Sequence, residues 1–430
     1  MVQHQSLSEE ASELRVHAGC RSCGAKLKRS FVDLGMSPLC ESYRSEDQLD
    51  TMEPFYPLHV LVCEECLLVQ LKEYVAPEHI FREYAYFSSY STSWVEHART
   101  YCSMIRERLA LGRNSLVVEL ASNDGYLLQH FLPFGIPVIG IEPAHNVAQV
   151  ALAKGIETRT EFFGLDLAKR IVAEGRRADL IIANNVLPHV PNLNDFVAGL
   201  AHLLKPDGIA TLEFPHLARL IEESQFDTIY HEHFSYLSLL AVDAISSRHG
   251  LEVIDVEELP THGGSLRVYW SLRQPGRRPK PSVADLLAHE RDLGLDRLET
   301  YTSFTDQVRR TKRQLLALLI ELKSQGKRIC GYGAPGKGNT LLNYCGIGPD
   351  FIDFTVDRNP YKHALYTPGM NIPIRPVTAL DEAKPDYILI LPWNLKDEII
   401  CQMRHVAEWG AKFIIPIPRA TVIDPMEIFS

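Results

Sequence analysis

The sequence predicts an α/β protein made of a small cysteine-bearing N-terminal domain and two larger domains with twisted, mostly parallel sheets. Three observations predict it. The chain has 430 residues, too many for one ordinary hydrophobic core. Two Cys-x-x-Cys pairs stand near the N-terminus, Cys20/Cys23 and Cys63/Cys66. Short β-branched runs alternate with helical stretches twice over, once from Leu116 and again from Lys327, which is the pattern of doubly wound sheets.

Composition narrows the class. Hydrophobic residues make up 46%, enough for sizeable cores. A net charge of -10 speaks against nucleic acid as the partner. No apolar run is long enough to span a membrane, and Met1–Gly19 is polar with mixed charges, unlike a signal peptide. Nine cysteines in such a chain read as reduced thiols or metal ligands rather than disulfides. The expectation is a cytoplasmic, globular, monomeric protein with no nucleic-acid or membrane partner.

Residues 1–75 form the first expected domain. Two Cys-x-x-Cys knuckles supply four thiolates, the set for a closed tetrahedral Zn2+ site of structural type, so Cys20, Cys23, Cys63 and Cys66 are its candidate ligands. Cys40 is unpaired and reads as a small buried residue. Phe55–Val62 alternates like a strand. Tyr84, Tyr86 and Tyr90 with the serines between them are either an aromatic cluster or a substrate-facing loop.

Residues 76–274 form the second domain. Trp94–Leu109 reads as an amphipathic helix. Val117-Val-Glu-Leu120 is a strand ending in an acid, Ala121–Gly125 turns sharply, and Tyr126 opens a helix. A second strand ends in Glu142 and a third, Asp179–Ala183, in Asn184-Asn185. Ligands of doubly wound sheets bind beyond the carboxyl ends of the strands. A dinucleotide fingerprint needs three spaced glycines, and this turn has only Gly125. S-adenosylmethionine carries no phosphate to cradle; an acid at each of two strand ends and a close-approach turn suit it. Glu119, Ala121, Asn123, Gly125, Tyr126 and Leu127 are therefore candidates on the first turn. Glu142, Pro143 and Asn146 follow the second strand, and Phe163, Asn184 and Asn185 complete the set. Alternatively, the acids only cap helices.

Residues 273–282 are rich in proline and basic side chains and read as a linker. The last domain, 283–430, begins with a helix whose Phe304, Val308, Leu315, Leu318, Leu319 and Leu322 share one face. A strand then runs into Gly331-Tyr-Gly-Ala-Pro-Gly-Lys-Gly338, and Phe351–Val356 ends in Asp357. The spacing is that of a nucleotide-binding turn, possible with NAD as in an oxidoreductase, or of a turn needed only for packing.

Tyr230-His-Glu-His-Phe-Ser-Tyr236 packs two imidazoles, a carboxylate and two phenols into seven residues, which suits proton transfer. Two histidines so close cannot chelate one metal from a helix. The order of the cysteine knuckles, Glu119-Leu-Ala-Ser-Asn-Asp-Gly125, Ala183-Asn-Asn-Val-Leu-Pro-His-Val190, Tyr230–Tyr236 and Gly331–Gly338 resembles the sugar C-methyltransferases of antibiotic deoxysugar pathways, over nearly the whole chain. One departure is Pro188, where a small residue is expected.

The resemblance implies a zinc-binding domain, a Rossmann-like S-adenosylmethionine methyltransferase domain and a second Rossmann-like domain without a dinucleotide. It implies a nucleotide-linked 4-keto deoxysugar, dTDP-linked, methylated at C3 or C5. It places the catalytic base on His233, with Tyr230 and Glu232 beside it and His189 and Tyr84 lining the sugar. Substrate contacts are expected from Tyr86, His262 and Gly263, and in the last domain from Gly333, Ala334, Lys337, Gly338, Asn339, Asp357 and Asn394.

Overall fold

The computed structural model describes residues 19–72, 88–90 and 92–426; Tyr84 and Tyr86 lie outside them. Strands β1 (Arg29–Ser37), β2 (Tyr56–Val62) and β3 (Val69–Leu71) form an antiparallel sheet. Cys63 and Cys66 sit on the turn between β2 and β3, closed by Leu67 N–H to Cys63 O at 3.0 Å.

The central domain follows. Strands β4 (Val117–Leu120), β5 (Val138–Ile141), β6 (Thr158–Arg159), β7 (Ala178–Asn184) and β8 (Leu204–Pro215) pair in parallel. Their inner residues are wholly buried, as continuous apolar runs in a sheet covered on both faces should be. The chain next gives a two-residue strand, β9 (Ser235–Tyr236), to the first sheet, where Tyr236 pairs with Val69. Strands β10 (Leu251–Leu259) and β11 (Ser265–Leu272) then extend the central sheet antiparallel to β8, giving the order β10-β11-β8-β7-β4-β5-β6. Helix Pro281–Asp292 packs Val283 and Leu286 into this same core.

The last sheet holds β12 (Ile329–Tyr332), β13 (Thr355–Val356), β14 (Ile374–Arg375), β15 (Tyr387–Ile390), β16 (Lys412–Ile415) and β17 (Thr421–Ile423), all parallel except β17. Helix Leu298–Ser324 buries Phe304, Val308, Leu315, Leu319 and Leu322 of the expected stripe and also Tyr301, while Leu318 is half-buried. It reaches back to the first sheet, where Phe304 stacks on Phe31 with ring centroids 4.6 Å apart. Among the described residues no helix is long and apolar enough to cross a membrane.

Three local expectations change. The helix expected from Tyr126 is two single 3-10 turns, Leu128–His130 and Leu132–Phe134. Pro133 lacks an N–H to continue the ladder, and Gly135 ends it in the left-handed region at φ 65°. The strand expected over Phe351–Val356 shrinks to Thr355–Val356, because Phe351 and Ile352 turn back on Gly348 O. Pro281 starts a helix inside the expected linker, its missing N–H being no loss in a first turn.

Candidate active site

The strand order reverses at β4, which lies between β5 and β7, and beyond the carboxyl ends there the predicted turn gathers. Glu142 takes the backbone N–H of Asn123 at 2.9 Å and of Ala144 at 2.8 Å. It thereby braces a turn in which Ala121 and Asn123 are left-handed, at φ 51° and 48°. Gly125 has φ 75°, and a Cβ there would stand 2.4 Å from Ile156 Cδ1, so only glycine fits. Glu119 is 2% exposed, and burial, followed by the Glu142 and Asp124 charges, holds its carboxyl well above the usual range. Its Oε2, Asp124 Oδ1 and Asn184 Oδ1 are buried acceptors without a partner.

Such orphans call for a bound molecule with donors. The ammonium and ribose hydroxyls of S-adenosylmethionine fit that need. Of the other candidates, Tyr126 stacks near Trp94 at 6.4 Å and Leu127 is wholly buried. Asn185 is left-handed, with its N–H on Glu213 O at 2.7 Å. Phe163 meets Phe196 edge-on, Pro143 is half-buried, and Asn146 is exposed beyond β5.

Tyr230–His233 is a turn, closed by His233 N–H to Tyr230 O at 3.0 Å. It carries the two faces apart: His231 packs edge-on to Tyr56 in the N-terminal domain, while Tyr230 and His233 lie together with centroids 4.0 Å apart. His233 Nδ1 is 3.0 Å from the Thr228 carbonyl. A carbonyl only accepts, so Nδ1 carries the proton and Nε2 keeps its lone pair. His189 is held likewise, Nδ1 on Glu232 O at 2.8 Å, and the two imidazoles stand 4.7 Å apart. Burial, then the neighbouring His189, pushes the His233 pKa well below 6.5; burial brings His189 to about 4. Both are neutral at pH 7.

The Glu232 carboxyl makes no hydrogen bond to His233; burial and then the Glu41 charge raise it to about 7. The group that sets the His233 tautomer is thus a backbone carbonyl, Thr228 O, which no side-chain motif marks. His262 is left-handed at φ 55° beside Gly263, a strained conformation of the kind kept at functional sites, with Trp94 edge-on at 5.4 Å.

The glycine-rich turn of the last domain divides its candidates. Asn339 donates to Cys40 O at 2.6 Å, and Ala334 O accepts from Lys362 at 2.9 Å and from the Tyr43 hydroxyl. A Cβ on Gly336 would stand 2.9 Å from both Cys40 Sγ and Glu41 Oε1. Gly333 and Gly338 press on Pro392 and Leu391, and Asp357 takes Ala334 N–H at 2.7 Å. Residues Cys40–Tyr43 thus stand where a pyrophosphate would approach this helix N-terminus. Lys337 turns the other way, bonding Asn394 at 2.8 Å over the Trp393 ring. A cleft of about 480 Å³ between the two domains is lined by Arg219, Gly263, Trp393, Asn394 and Lys396.

Near the N-terminus, the ligand atoms of Cys20, Cys23, Cys63 and Cys66 lie within 4.8 Å of one another, with Cys20–Cys66 at 3.5 Å and Cys23–Cys63 at 3.4 Å. A tetrahedron with Zn–S of ~2.3 Å has edges of ~3.8 Å, so the set fits Zn2+ with no open position. Gln70 braces it, donating to Cys20 Sγ at 3.1 Å and accepting Arg21 N–H at 2.9 Å. The same sheet holds the segment after His233: Leu71 N–H bonds Phe234 O at 3.0 Å, and Arg21 lies over the Phe234 ring at 5.3 Å.

Three family models match in this order: "Putative zinc binding domain" over residues 20–81, "Methyltransferase domain" over 94–256 and "C-methyltransferase C-terminal domain" over 260–418. The C-methyltransferase NovU of Streptomyces niveus is 36% identical over 405 residues, 94% of this chain and 96% of its own. The magnesium protoporphyrin IX methyltransferase ChlM of Synechocystis PCC 6803, solved with bound S-adenosylmethionine, is 18% identical over 41% of this chain and 80% of its own, at a TM-score of 0.31. Four converging thiolates, a donor turn with unpaired buried acceptors, and a near full-length relative agree. The chain belongs to the S-adenosylmethionine-dependent C-methyltransferases that carry a zinc-binding domain ahead of the methyltransferase domain.

Proposed function

We propose that the methyl group goes to the carbon beside the ketone of a nucleotide-linked 4-keto deoxysugar, at C3, with C5 the other carbon open to the same chemistry and dTDP the expected nucleotide. The observation that carries this reading is the His233 tautomer: Nδ1–H on Thr228 O leaves Nε2 as a base, with Tyr230 and His189 beside it. Carbon accepts a methyl only after losing a proton, and the hydrogen next to a ketone is the acidic one. A neutral imidazole removes it at pH 7 without first losing a proton of its own.

The enolate oxygen then needs donors, which the Tyr230 phenol supplies from the same side of the turn. Glu119, Glu142 and Asn184 hold the methyl donor across the strand ends. S-adenosylmethionine supplies a methyl on a sulfonium that leaves as a neutral thioether. Transfer is mostly a matter of alignment. Lys337 and Asn394 bring the last domain to the sugar side of the site.

The oxidoreductase alternative would need a dinucleotide at Gly331–Gly338, where Cys40, Glu41 and Tyr43 already pack. Incubation with S-adenosylmethionine and a panel of nucleotide-linked keto sugars, followed by mass spectrometry and carbon NMR, tests the reading. A product one methylene heavier, with a new methyl on carbon, is expected. Reduction of the ketone with NADH and no methylation would contradict it.

A further inference from the structure

We propose that the C-terminal domain positions the catalytic base: the indole N–H of Trp393, bonded to the Asp227 carboxylate, fixes the turn whose Thr228 carbonyl holds His233. The inference rests on His233 being the base. Trp393 Nε1 donates to Asp227 Oδ2 at 2.7 Å, and both residues are buried, Asp227 completely. The next residue, Thr228, accepts His233 Nδ1–H at 3.0 Å and donates its own hydroxyl to Gln225 O at 2.7 Å. The chain from Trp393 to the imidazole is therefore two hydrogen bonds and one peptide unit.

The Trp393 ring is wedged on its other side as well. A Cβ on Gly263 would stand 2.8 Å from the indole and 2.9 Å from Gln225 Nε2, and Gln225 donates to Gly263 O at 2.7 Å. One side chain of the last domain thus lies between the loop that presents His262 and the turn that holds His233. Two more grip the same stretch. Tyr344 meets the fully buried Phe226 edge-on at 5.3 Å. Gln307 donates to Ile221 O at 2.6 Å and Ser224 Oγ at 2.7 Å.

Asp227 has an energetic reason to follow Trp393. The indole supplies a side-chain hydrogen bond to its carboxylate, beside the backbone N–H groups of Asp227 and Thr228. A buried carboxylate that loses a strong donor is destabilised, and the turn would move to replace it. Lys337, also of the last domain, adds an attractive charge nearby. Rigid placement of the base matters because displacement of about 1 Å costs on the order of a hundredfold in rate.

Three variants test it: Trp393→Phe removes the N–H and keeps an aromatic ring, Asp227→Ala removes the acceptor, and Asp227→Asn keeps an oxygen for the indole. Turnover, solvent-deuterium exchange into the sugar and S-adenosylmethionine affinity are measured for each, with His233→Ala in parallel. Trp393→Phe and Asp227→Ala should lose turnover and exchange together, on the order of a hundredfold, with donor affinity unchanged. Asp227→Asn should lose less than Asp227→Ala, and the double variant Trp393→Phe/Asp227→Ala no more than the worse single.

Wild-type exchange and turnover in Trp393→Phe would overturn the inference, as would a loss matching only a smaller fraction of donor-binding protein. If His233→Ala loses exchange while Trp393→Phe keeps it, the positioning role alone falls. If His233→Ala keeps exchange, the base assignment falls and the inference with it.

Discussion

Replacing Glu142 by alanine separates a brace from a ligand. Its two oxygens hold the N–H groups of Asn123 and Ala144, and alanine leaves both without an acceptor inside the turn. A buried unsatisfied donor costs about 1–3 kcal/mol. The unliganded protein should therefore be destabilised by about 2–4 kcal/mol, less than the sum of two full penalties because the turn can relax toward water. Each carboxylate oxygen has a second lone pair, which the ribose hydroxyls can use. Losing hydrogen bonds to a charged acceptor costs about 1.5–3 kcal/mol, so the Kd for S-adenosylmethionine should rise about 10- to 150-fold. Glu142→Gln, with one acceptor left, should fall between. Calorimetric titration with the donor reads the second effect and thermal melting without donor the first. A lowered Tm with unchanged Kd would refute the ribose contact and leave Glu142 as a brace only.

Other outcomes follow from the same geometry. Cys63→Ser, or chelation, should remove about one zinc per chain, as a single four-thiolate site requires. Because β3 holds Phe234 and β9, turnover should fall further than donor affinity; full turnover in metal-free protein would contradict this. Gly125→Ala should be destabilised by about 1–2 kcal/mol for its left-handed backbone and more for displacing Ile156, read as a lower Tm. His189 is held down to about 4 by burial against 6.5 unfolded, so the unfolded chain binds more protons between those values. Stability should fall as pH drops from 6.5 toward 4, and His189→Asn should flatten that part of a Tm-against-pH curve.

What was legible in the sequence is what local chemistry requires. Paired knuckles announce four thiolates, and an acid, a tight turn and a glycine announce a ligand at a strand end. The sequence marks His233 as the proposed base, but not the group that orients it. Adjacent Glu232 suggested a partner; the turn instead sends that carboxyl toward Glu41 and gives His233 the Thr228 carbonyl, which any residue could supply. Trp393 and Asp227 are 166 positions apart, and no spacing rule joins them. The glycine pattern at Gly331–Gly338 fits a nucleotide turn and an interdomain contact equally well, because both need backbone to approach closely. Only the fold shows that Cys40–Tyr43 makes that approach.

The central claim is that His233 Nε2 takes the proton next to the sugar ketone. The direct measurement is hydrogen exchange without methyl transfer: enzyme, nucleotide-linked keto sugar and a methyl-less donor analogue in deuterium oxide, followed by NMR. Wild-type enzyme should replace one carbon-bound hydrogen by deuterium. His233→Ala should lose that exchange and its turnover, by roughly a hundred- to ten-thousand-fold, while still binding donor and sugar. Exchange at the wild-type rate in His233→Ala would contradict the claim and move the base to another group of the turn, Tyr230 first.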